Sequence, residues 1–222
     1  MERGRRRAVQ ALAGSGVAAA LVGLGGLTGC GSRRALKGRP VPAGARVLAL
    51  GDSLTFGTGA TPETAYPAVL GELSGWEVIN AGVPGDTSAQ ALARLPALLE
   101  QHKPALVLLS IGGNDLLRRQ PEDTLRENIR RIVSLVQAAE GQVLLVAIPR
   151  PTIAARVTSS LDDHPLYGEL SEALKVPLHR RGWSDVLQDA QRRSDDIHAN
   201  AQGYRDFANG LMATLRAAGF KA

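Results

Sequence analysis

Cysteine and aromatic residues are scarce in this chain, and each shortage excludes a class of protein. A single cysteine, Cys30, stands among the 222 residues, so a framework of internal disulfide bonds is excluded. Aromatic residues make up only 4% of the chain, which argues against a platform that stacks the bases of single-stranded nucleic acid. The length fits one α/β domain with additional segments.

The excess of basic residues is concentrated at the amino terminus and says little about partners. The formal net charge is +5. Without residues 1–29, which hold four arginines and one glutamate, 22 basic and 20 acidic residues remain, a net charge of +2. A nucleic-acid-binding surface therefore loses its main electrostatic support, and we expect no nucleic-acid partner.

The first 29 residues have the layout of a secretory signal peptide. A basic head, Arg3–Arg7, precedes an uncharged, largely apolar stretch from Ala8 to Leu27, and small residues follow. The paired arginines also fit a twin-arginine export signal, so the export route stays open. A retained transmembrane helix is the alternative, but six glycines weaken a long helix and the apolar run is short for a bilayer.

The segment Leu27–Cys30 resembles the lipobox of bacterial lipoproteins, in which an aliphatic residue and two small residues precede the lipidated cysteine. Small flanking residues let a peptidase close on the bond before Cys30. We therefore expect residues 1–29 to be removed, Cys30 to be lipidated, and residues 30–45 to form a flexible tether. The protein would then be an exported, membrane-anchored lipoprotein of the bacterial cell envelope, on the periplasmic side. Gly31 is typical of lipoproteins sorted to an outer membrane.

From residue 46 to residue 222, short apolar runs alternate with segments that have helical spacing. This alternation predicts a parallel sheet covered by helices on both faces, with a site at the carboxyl ends of the strands. The predicted strands are Arg46–Leu50, Glu77–Asn80, Ala105–Ser110, Gln142–Ile148 and Lys175–Leu178. The predicted helices are Tyr66–Leu73, Ser88–Glu100, Pro121–Ala139, Pro165–Leu174 and Ala201–Ala218.

Three of these strands are followed by turns that carry chemistry. Ser53, in Gly51–Leu54, can present its hydroxyl to a cleft and its N–H to a developing oxyanion, although Asp52 or Ser53 could instead be the N-cap of a helix. Gly85 lacks a side chain, so its N–H can face a substrate, although glycine also suits an ordinary turn. Asn114 follows Gly112–Gly113 and can offer an amide donor, or it closes an Asx turn.

A fourth block, Asp195–His198, precedes the last predicted helix. An aspartate three residues before a histidine can accept a hydrogen bond from imidazole Nδ1 and leave Nε2 as a base. This spacing favours Asp195 over the adjacent Asp196. A histidine near a helix start can also be purely structural.

Together the four blocks resemble the SGNH hydrolase family, also called GDSL esterases, over roughly Val47–Leu215, and the run Ala93–Leu99 adds to the resemblance. It implies Ser53 as the nucleophile, His198 as general base and acid, and Asp195 as the residue that orients His198. It implies an oxyanion hole made by the N–H groups of Ser53 and Gly85 and the side-chain amide of Asn114. It also implies a flavodoxin-like three-layer α/β/α sandwich with a five-stranded parallel sheet, without metal or cofactor.

The resemblance implies a serine esterase that hydrolyses acyl esters through an acyl-enzyme on Ser53, with thioesters and lysophospholipids as further substrates. Its expected partners are a small-molecule or lipid ester and, through Cys30, a membrane; we expect a monomer. Ala199 replaces a proline that often follows the catalytic histidine. Arg150–His164 is longer than in relatives, and Leu116–Gln120 is more basic. Because both segments are expected to border the substrate cleft, the substrates of relatives cannot be assigned to this chain. A carbohydrate O-acetylesterase of the cell envelope and a non-catalytic binding lipoprotein are the alternatives.

The lipid anchor can be tested by replacing Cys30 with serine. Wild type should partition with membranes and give a lipid-modified peptide that starts at Cys30, because each buried methylene contributes about 0.8 kcal/mol and more than one chain is present. Cys30→Ser should lose the modification. Cell fractionation and mass spectrometry of the amino-terminal peptide measure both. A freely soluble wild type, or an intact Met1 peptide in the membrane, would contradict the assignment.

Overall fold

A computed structural model of the protein describes residues 36–150 and 161–221. Its strands are β1 Arg46–Gly51, β2 Glu77–Gly82, β3 Leu106–Ser110, β4 Gln142–Val146 and β5 Leu178–His179. All neighbours pair in parallel, in the order β2-β1-β3-β4-β5. The central strand β3 is buried along its whole length, as expected for a parallel sheet covered on both faces. The predicted five-stranded parallel sheet is confirmed.

The helices include four short elements that the sequence patterns did not reveal. The long helices agree with the predicted ones to within two residues at each end, which is the usual spread of such boundaries. Elements of about two turns or fewer cannot show a helical period, so the short elements escape pattern reading. The helices are α1 Ser53–Phe56, α2 Tyr66–Ser74, α3 Ser88–His102, α4 Gly113–Leu117, α5 Glu122–Ala138, α6 Pro165–Leu174, α7 Gly182–Gln188 and α8 Ala201–Ala217, with a 3₁₀ turn at Ala190–Arg192.

The helices pack in two groups, α3 with α5 and α6, and α8 with α2 and α7. Right-handed crossovers explain the grouping, because the chain moves one way across the sheet from β1 to β2 and the opposite way from β2 through β3 and β4 to β5. In the second group Trp183 stacks on Phe207 with ring centroids 3.6 Å apart, and Tyr66 meets Phe207 edge-on at 4.9 Å. The result is the expected three-layer α/β/α architecture.

The second half of the predicted tether packs on the domain. The Gly38 N–H donates to the Ala218 carbonyl at 2.8 Å, and the Val41 N–H donates to the Phe220 carbonyl at 2.8 Å. Val41 is buried, and its carbonyl accepts from the Trp76 indole N–H. The chain is therefore attached to the domain before Arg46. The predicted signal peptide and Cys30 lie outside the described residues. Among those described, no helix is both long and apolar enough to cross a bilayer.

His179 is a buried histidine that joins the sheet edge to α8. Its Nδ1 lies 2.8 Å from Thr214 Oγ1, and its Nε2 has no hydrogen-bond partner among the described residues. Burial lowers the pKa of His179 from 6.5 to about 4, against the opposing charges of Asp163 and Asp185. The folded chain therefore holds this imidazole neutral over most of the acidic range.

Stability should consequently fall as the pH drops from about 6.5 towards 4, because only the unfolded chain takes up the proton on His179. Between pH 7.5 and 5 this group accounts for about 2 kcal/mol of lost unfolding free energy. His179→Gln should lower stability at pH 7.5 but flatten the pH dependence by that amount. Urea unfolding at both pH values measures the difference. Equal slopes for wild type and variant would contradict the assignment.

Candidate active site

The sheet register brings three loops to one level at the carboxyl ends of the central strands. Gly51, the last residue of β1, pairs with Gly82 of β2 on one side and with Ser110 of β3 on the other. A side chain at Gly51 would collide with Thr55 and the Ser110 carbonyl, so glycine permits this close approach. The loops that begin at these three positions carry Ser53, Gly85 and Asn114.

Ser53, His198 and Asp195 form a continuous chain of hydrogen bonds. The Ser53 Oγ lies 2.9 Å from His198 Nε2, and His198 Nδ1 lies 2.7 Å from Asp195 Oδ2. Ser53 is the first residue of α1, and His198 lies in the loop that leads into α8. The structure brings together the three residues that the sequence selected for the triad, while Asp196 takes no part in these hydrogen bonds.

The Asp195 carboxylate is fixed by the turn that it closes. Its Oδ1 accepts from the backbone N–H of Ile197 at 2.9 Å and of His198 at 2.8 Å. Partial burial works to raise the pKa of Asp195, but the hydrogen bonds from the His198 ring and these two N–H groups outweigh it and lower the pKa. Asp195 is therefore an anion that holds the Nδ1–H tautomer of His198 and leaves Nε2 as acceptor for the serine proton.

The three donors predicted for the oxyanion hole lie on these three neighbouring loops. The N–H groups of Ser53 and Gly85 make no hydrogen bond to another described residue. Gly85 has a φ of +84°, a conformation that favours glycine and that turns the backbone of this loop. The Asn114 amide donates to the Asp86 carbonyl at 3.0 Å, and its other contact, to Asp52 Oδ2, is long at 3.5 Å. That second N–H is therefore weakly held and can be given to a ligand.

A buried polar network holds the Asn114 loop against two helices. The Asp115 carboxylate accepts from the Ser88 N–H at 2.9 Å and from the Ser88 hydroxyl at 2.5 Å. Asn128 on α5 donates to the same hydroxyl at 2.9 Å. Buried polar groups of this kind are costly unless they are paired, so the network specifies one arrangement. Sequence reasoning missed it because the partners are distant along the chain.

Asp52, directly before the serine, is a buried carboxyl group. Its Oδ1 accepts from the Leu54 N–H at 3.1 Å and so caps α1. Burial raises the pKa of Asp52 from 3.8 to about 7; the hydrogen bond from Leu54 and the proximity of His198 oppose the shift, and Asp115 adds to it. The sequence had left open whether Asp52 or Ser53 caps the helix, and the structure assigns the cap to Asp52. Among the described residues, no cluster of His, Cys, Asp and Glu is arranged to hold a metal.

Comparison with known proteins gives a consistent result. Residues 49–205 match the GDSL-like lipase/acylhydrolase family. Thioesterase 1/protease 1/lysophospholipase L1 of Escherichia coli is 40% identical over 174 residues, 77% of this chain and 83% of that protein. An arylesterase of Vibrio mimicus is 34% identical over 141 residues, 61% of this chain and 70% of that protein. The resemblance seen in the four sequence blocks is confirmed.

Solved structures show the same architecture. The psychrotrophic esterase EstA from Pseudoalteromonas sp., in a structure inhibited by monoethylphosphonate, superposes with a TM-score of 0.69 at 27% identity. The match covers 78% of this chain and 97% of that one. The fold predicted from the sequence is therefore shared with an esterase of known structure.

The burial of Asp52 has a consequence for stability. The unfolded chain ionises this carboxyl near pH 3.8 whereas the folded chain keeps it protonated up to about pH 7, so stability is lost as the pH rises through that window. The free energy of unfolding of Asp52→Asn should therefore rise relative to that of wild type between pH 4 and pH 8, by on the order of 4 kcal/mol. Urea unfolding at several pH values measures this gain. A difference between variant and wild type that is independent of pH would contradict the raised pKa.

Proposed function

Because the chain belongs to the GDSL-like lipase/acylhydrolase family, we propose that it hydrolyses carboxylic acyl esters, including thioesters and lysophospholipids, through an acyl-enzyme on Ser53. The observation that carries the proposal is the hydrogen-bond chain from Ser53 Oγ through His198 to Asp195. Ser, His and Asp in this geometry form an activated nucleophile, whatever the fold that presents them.

In the first half-reaction, His198 Nε2 takes the proton of the Ser53 hydroxyl as Oγ bonds to the carbonyl carbon of the ester. The carbonyl electron pair moves onto oxygen, and the tetrahedral oxyanion forms. When it collapses, the bond to the leaving alcohol or thiol breaks, and the protonated His198 gives its proton to that group. Asp195 stabilises the imidazolium between these transfers.

In the second half-reaction, a water molecule attacks the acyl-enzyme while His198 Nε2 accepts the water proton. The second oxyanion collapses, the bond to Ser53 Oγ breaks, and His198 returns the proton to the serine. The acid leaves and the enzyme is regenerated. In both steps the negative charge develops beside the N–H groups of Ser53 and Gly85 and the amide of Asn114, which act as the oxyanion hole. A single such donor contributes a factor of about 10²–10³ in kcat.

The surroundings of the site favour an acyl chain as substrate. Large hydrophobic side chains that are 41–51% exposed stand beside all four loops: Phe56 follows Ser53 in α1, Val83 precedes Gly85, Leu117 follows Asn114 in α4, and Ile197 precedes His198. An acyl chain would cover such side chains, each buried methylene contributing about 0.8 kcal/mol. The acetyl group of a glycan ester would leave most of them in water.

The location completes the proposal. The basic and apolar start of the chain and the lipobox at Cys30 support an exported enzyme held at a membrane of the cell envelope by lipid. The charge of the remaining chain is nearly balanced, so attraction to anionic lipid plays little part in the anchoring. We propose that the enzyme acts as a monomer, because all the groups named above come from one chain.

Removal of the serine hydroxyl tests the reaction directly. Ser53→Ala should lower kcat for p-nitrophenyl butyrate by at least about 10⁴-fold, because the members of a triad act as a unit. Ser134→Ala, at an exposed position of α5, is the matched control and should leave kcat unchanged. Circular dichroism checks that both variants fold. Retention of most activity in Ser53→Ala would remove Ser53 from the mechanism.

A series of p-nitrophenyl esters from acetate to decanoate distinguishes the candidate activities of the wild type. The four exposed hydrophobic side chains beside the site predict that kcat/KM rises from acetate to acyl chains of medium length. Activity confined to acetate would instead support a carbohydrate O-acetylesterase. The absence of turnover with every ester, in a folded protein, would support a non-catalytic binding protein on the same fold.

A further inference from the structure

Arg94 joins two of the loops that form the site. It lies on α3, and its Nε donates to Asp86 Oδ2 at 2.7 Å while its Nη2 donates to the Gly51 carbonyl at 2.9 Å. The Arg94 side chain is 24% exposed and that of Asp86 is 8% exposed, so solvent competes only weakly for these contacts. The Gly51 carbonyl also accepts from the Val83 N–H at 3.1 Å. One guanidinium therefore ties the end of β1 to the loop that follows β2.

Both anchor points adjoin the three oxyanion donors. Gly51 precedes Asp52 and Ser53 in the chain, so the contact of Arg94 with the Gly51 carbonyl fixes the backbone that leads to the Ser53 N–H. Asp86 follows Gly85 directly, so the contact of Arg94 with the Asp86 carboxylate fixes the peptide next to the Gly85 N–H. The carbonyl of Asp86 also accepts from the Asn114 amide at 3.0 Å. The relative positions of all three donors thus depend on the place of Asp86 and Gly51.

The charge of Arg94 is already matched by the Asp86 carboxylate at 2.7 Å. Direct attraction between Arg94 and a developing oxyanion is therefore largely cancelled, and what remains is geometry. The planar guanidinium offers N–H groups at fixed angles, so it can satisfy a carboxylate and a carbonyl together. A lysine has the same charge but one compact ammonium group, which cannot reproduce both contacts at these distances.

We infer that Arg94, through its paired contacts with Asp86 and Gly51, is a positioning residue that sets the spacing of the three oxyanion donors in the hydrolysis proposed above. The inference rests on that proposed function. Misplacement of a catalytic group by about 1 Å can cost about 10²-fold in rate. Since the donors act on charge that develops in the transition state, the loss should appear in kcat rather than in KM.

The first test is Arg94→Lys, with Arg126→Lys as the matched control. Arg126 has a similarly buried side chain and makes two ion pairs, with Glu122 at 2.6 Å and Glu169 at 2.7 Å, away from the site. Arg94→Lys should lower kcat for p-nitrophenyl butyrate about 10- to 100-fold with KM changed less than about threefold. Arg126→Lys should keep kcat, although both variants lose some thermal stability. An unchanged kcat in folded Arg94→Lys, or a loss confined to KM, would overturn the inference.

Affinity for a transition-state analogue separates positioning from a general structural effect. An alkyl trifluoromethyl ketone forms a charged hemiketal with Ser53, so its Ki reports on the oxyanion donors. In Arg94→Lys the Ki should rise by the same factor as kcat/KM falls. A Ki equal to that of wild type would contradict the inference. Failure of Ser53→Ala to lose activity would instead overturn the proposed function itself, so the two failures are distinguishable.

A second variant, Asp86→Ala, decides between geometry and charge and remains usable if Arg94→Lys does not fold. It frees the positive charge of Arg94 and removes one of its two anchors. Positioning predicts a fall in kcat of about 10- to 100-fold, similar to that of Arg94→Lys. A kcat equal to that of wild type would overturn the positioning role, and a kcat above it would also show that the freed charge of Arg94 acts on the oxyanion directly.

Discussion

The site depends on the level at which three parallel strands end. Gly51 is in register with Gly82 and Ser110, so the loops after β1, β2 and β3 start side by side. A parallel sheet with this order has its crevice beside the central strands at their carboxyl ends. That register places Ser53, Gly85 and Asn114, which are the groups that the first half of the chain contributes to the proposed reaction. The Asp195–His198 segment supplies the remaining groups.

Register alone does not hold loops at catalytic precision, and the structure uses helices from both layers for that task. On one face, Ser88 of α3 donates to the Asp115 carboxylate and itself accepts from Asn128 of α5, while Arg94 holds Asp86 and Gly51. On the other, Trp183 of α7 donates to the Ser110 hydroxyl at 3.0 Å. These contacts lie behind the reacting groups, and because they are shielded from water they position those groups firmly.

The sequence predicted those features that are encoded by neighbouring residues. The apolar runs gave the strands, and the turn residues after them gave Ser53, Gly85 and Asn114; Asp195 and His198 are close enough along the chain to be recognised as a pair. Apart from the triad and the oxyanion hole, which the family resemblance implied, features that join distant residues could not be predicted. Arg94 lies 43 residues from Gly51, and although its run contributed to the family resemblance, nothing local assigns it a partner.

Two other differences between expectation and structure have physical causes. Residues 38–41 read as a tether because they are rich in small and basic residues, yet their backbone groups pair with residues that follow α8. Strand β5, Leu178–His179, starts three residues later and ends one residue later than the predicted run Lys175–Leu178, because Lys175 takes the left-handed conformation that ends α6. In both cases the local composition did not reveal the backbone contacts and the turn that fix the segment.

The central claim is that His198 and Asp195 make Ser53 a nucleophile, and labelling with a fluorophosphonate tests it most directly. Attack by Ser53 Oγ on phosphorus expels fluoride and leaves a stable adduct whose position peptide mass spectrometry identifies. The account predicts one adduct per chain, on Ser53, formed at least about 100-fold more slowly in His198→Ala, because the general base is lost. An adduct on another residue, or a folded wild type that is not labelled, would contradict it.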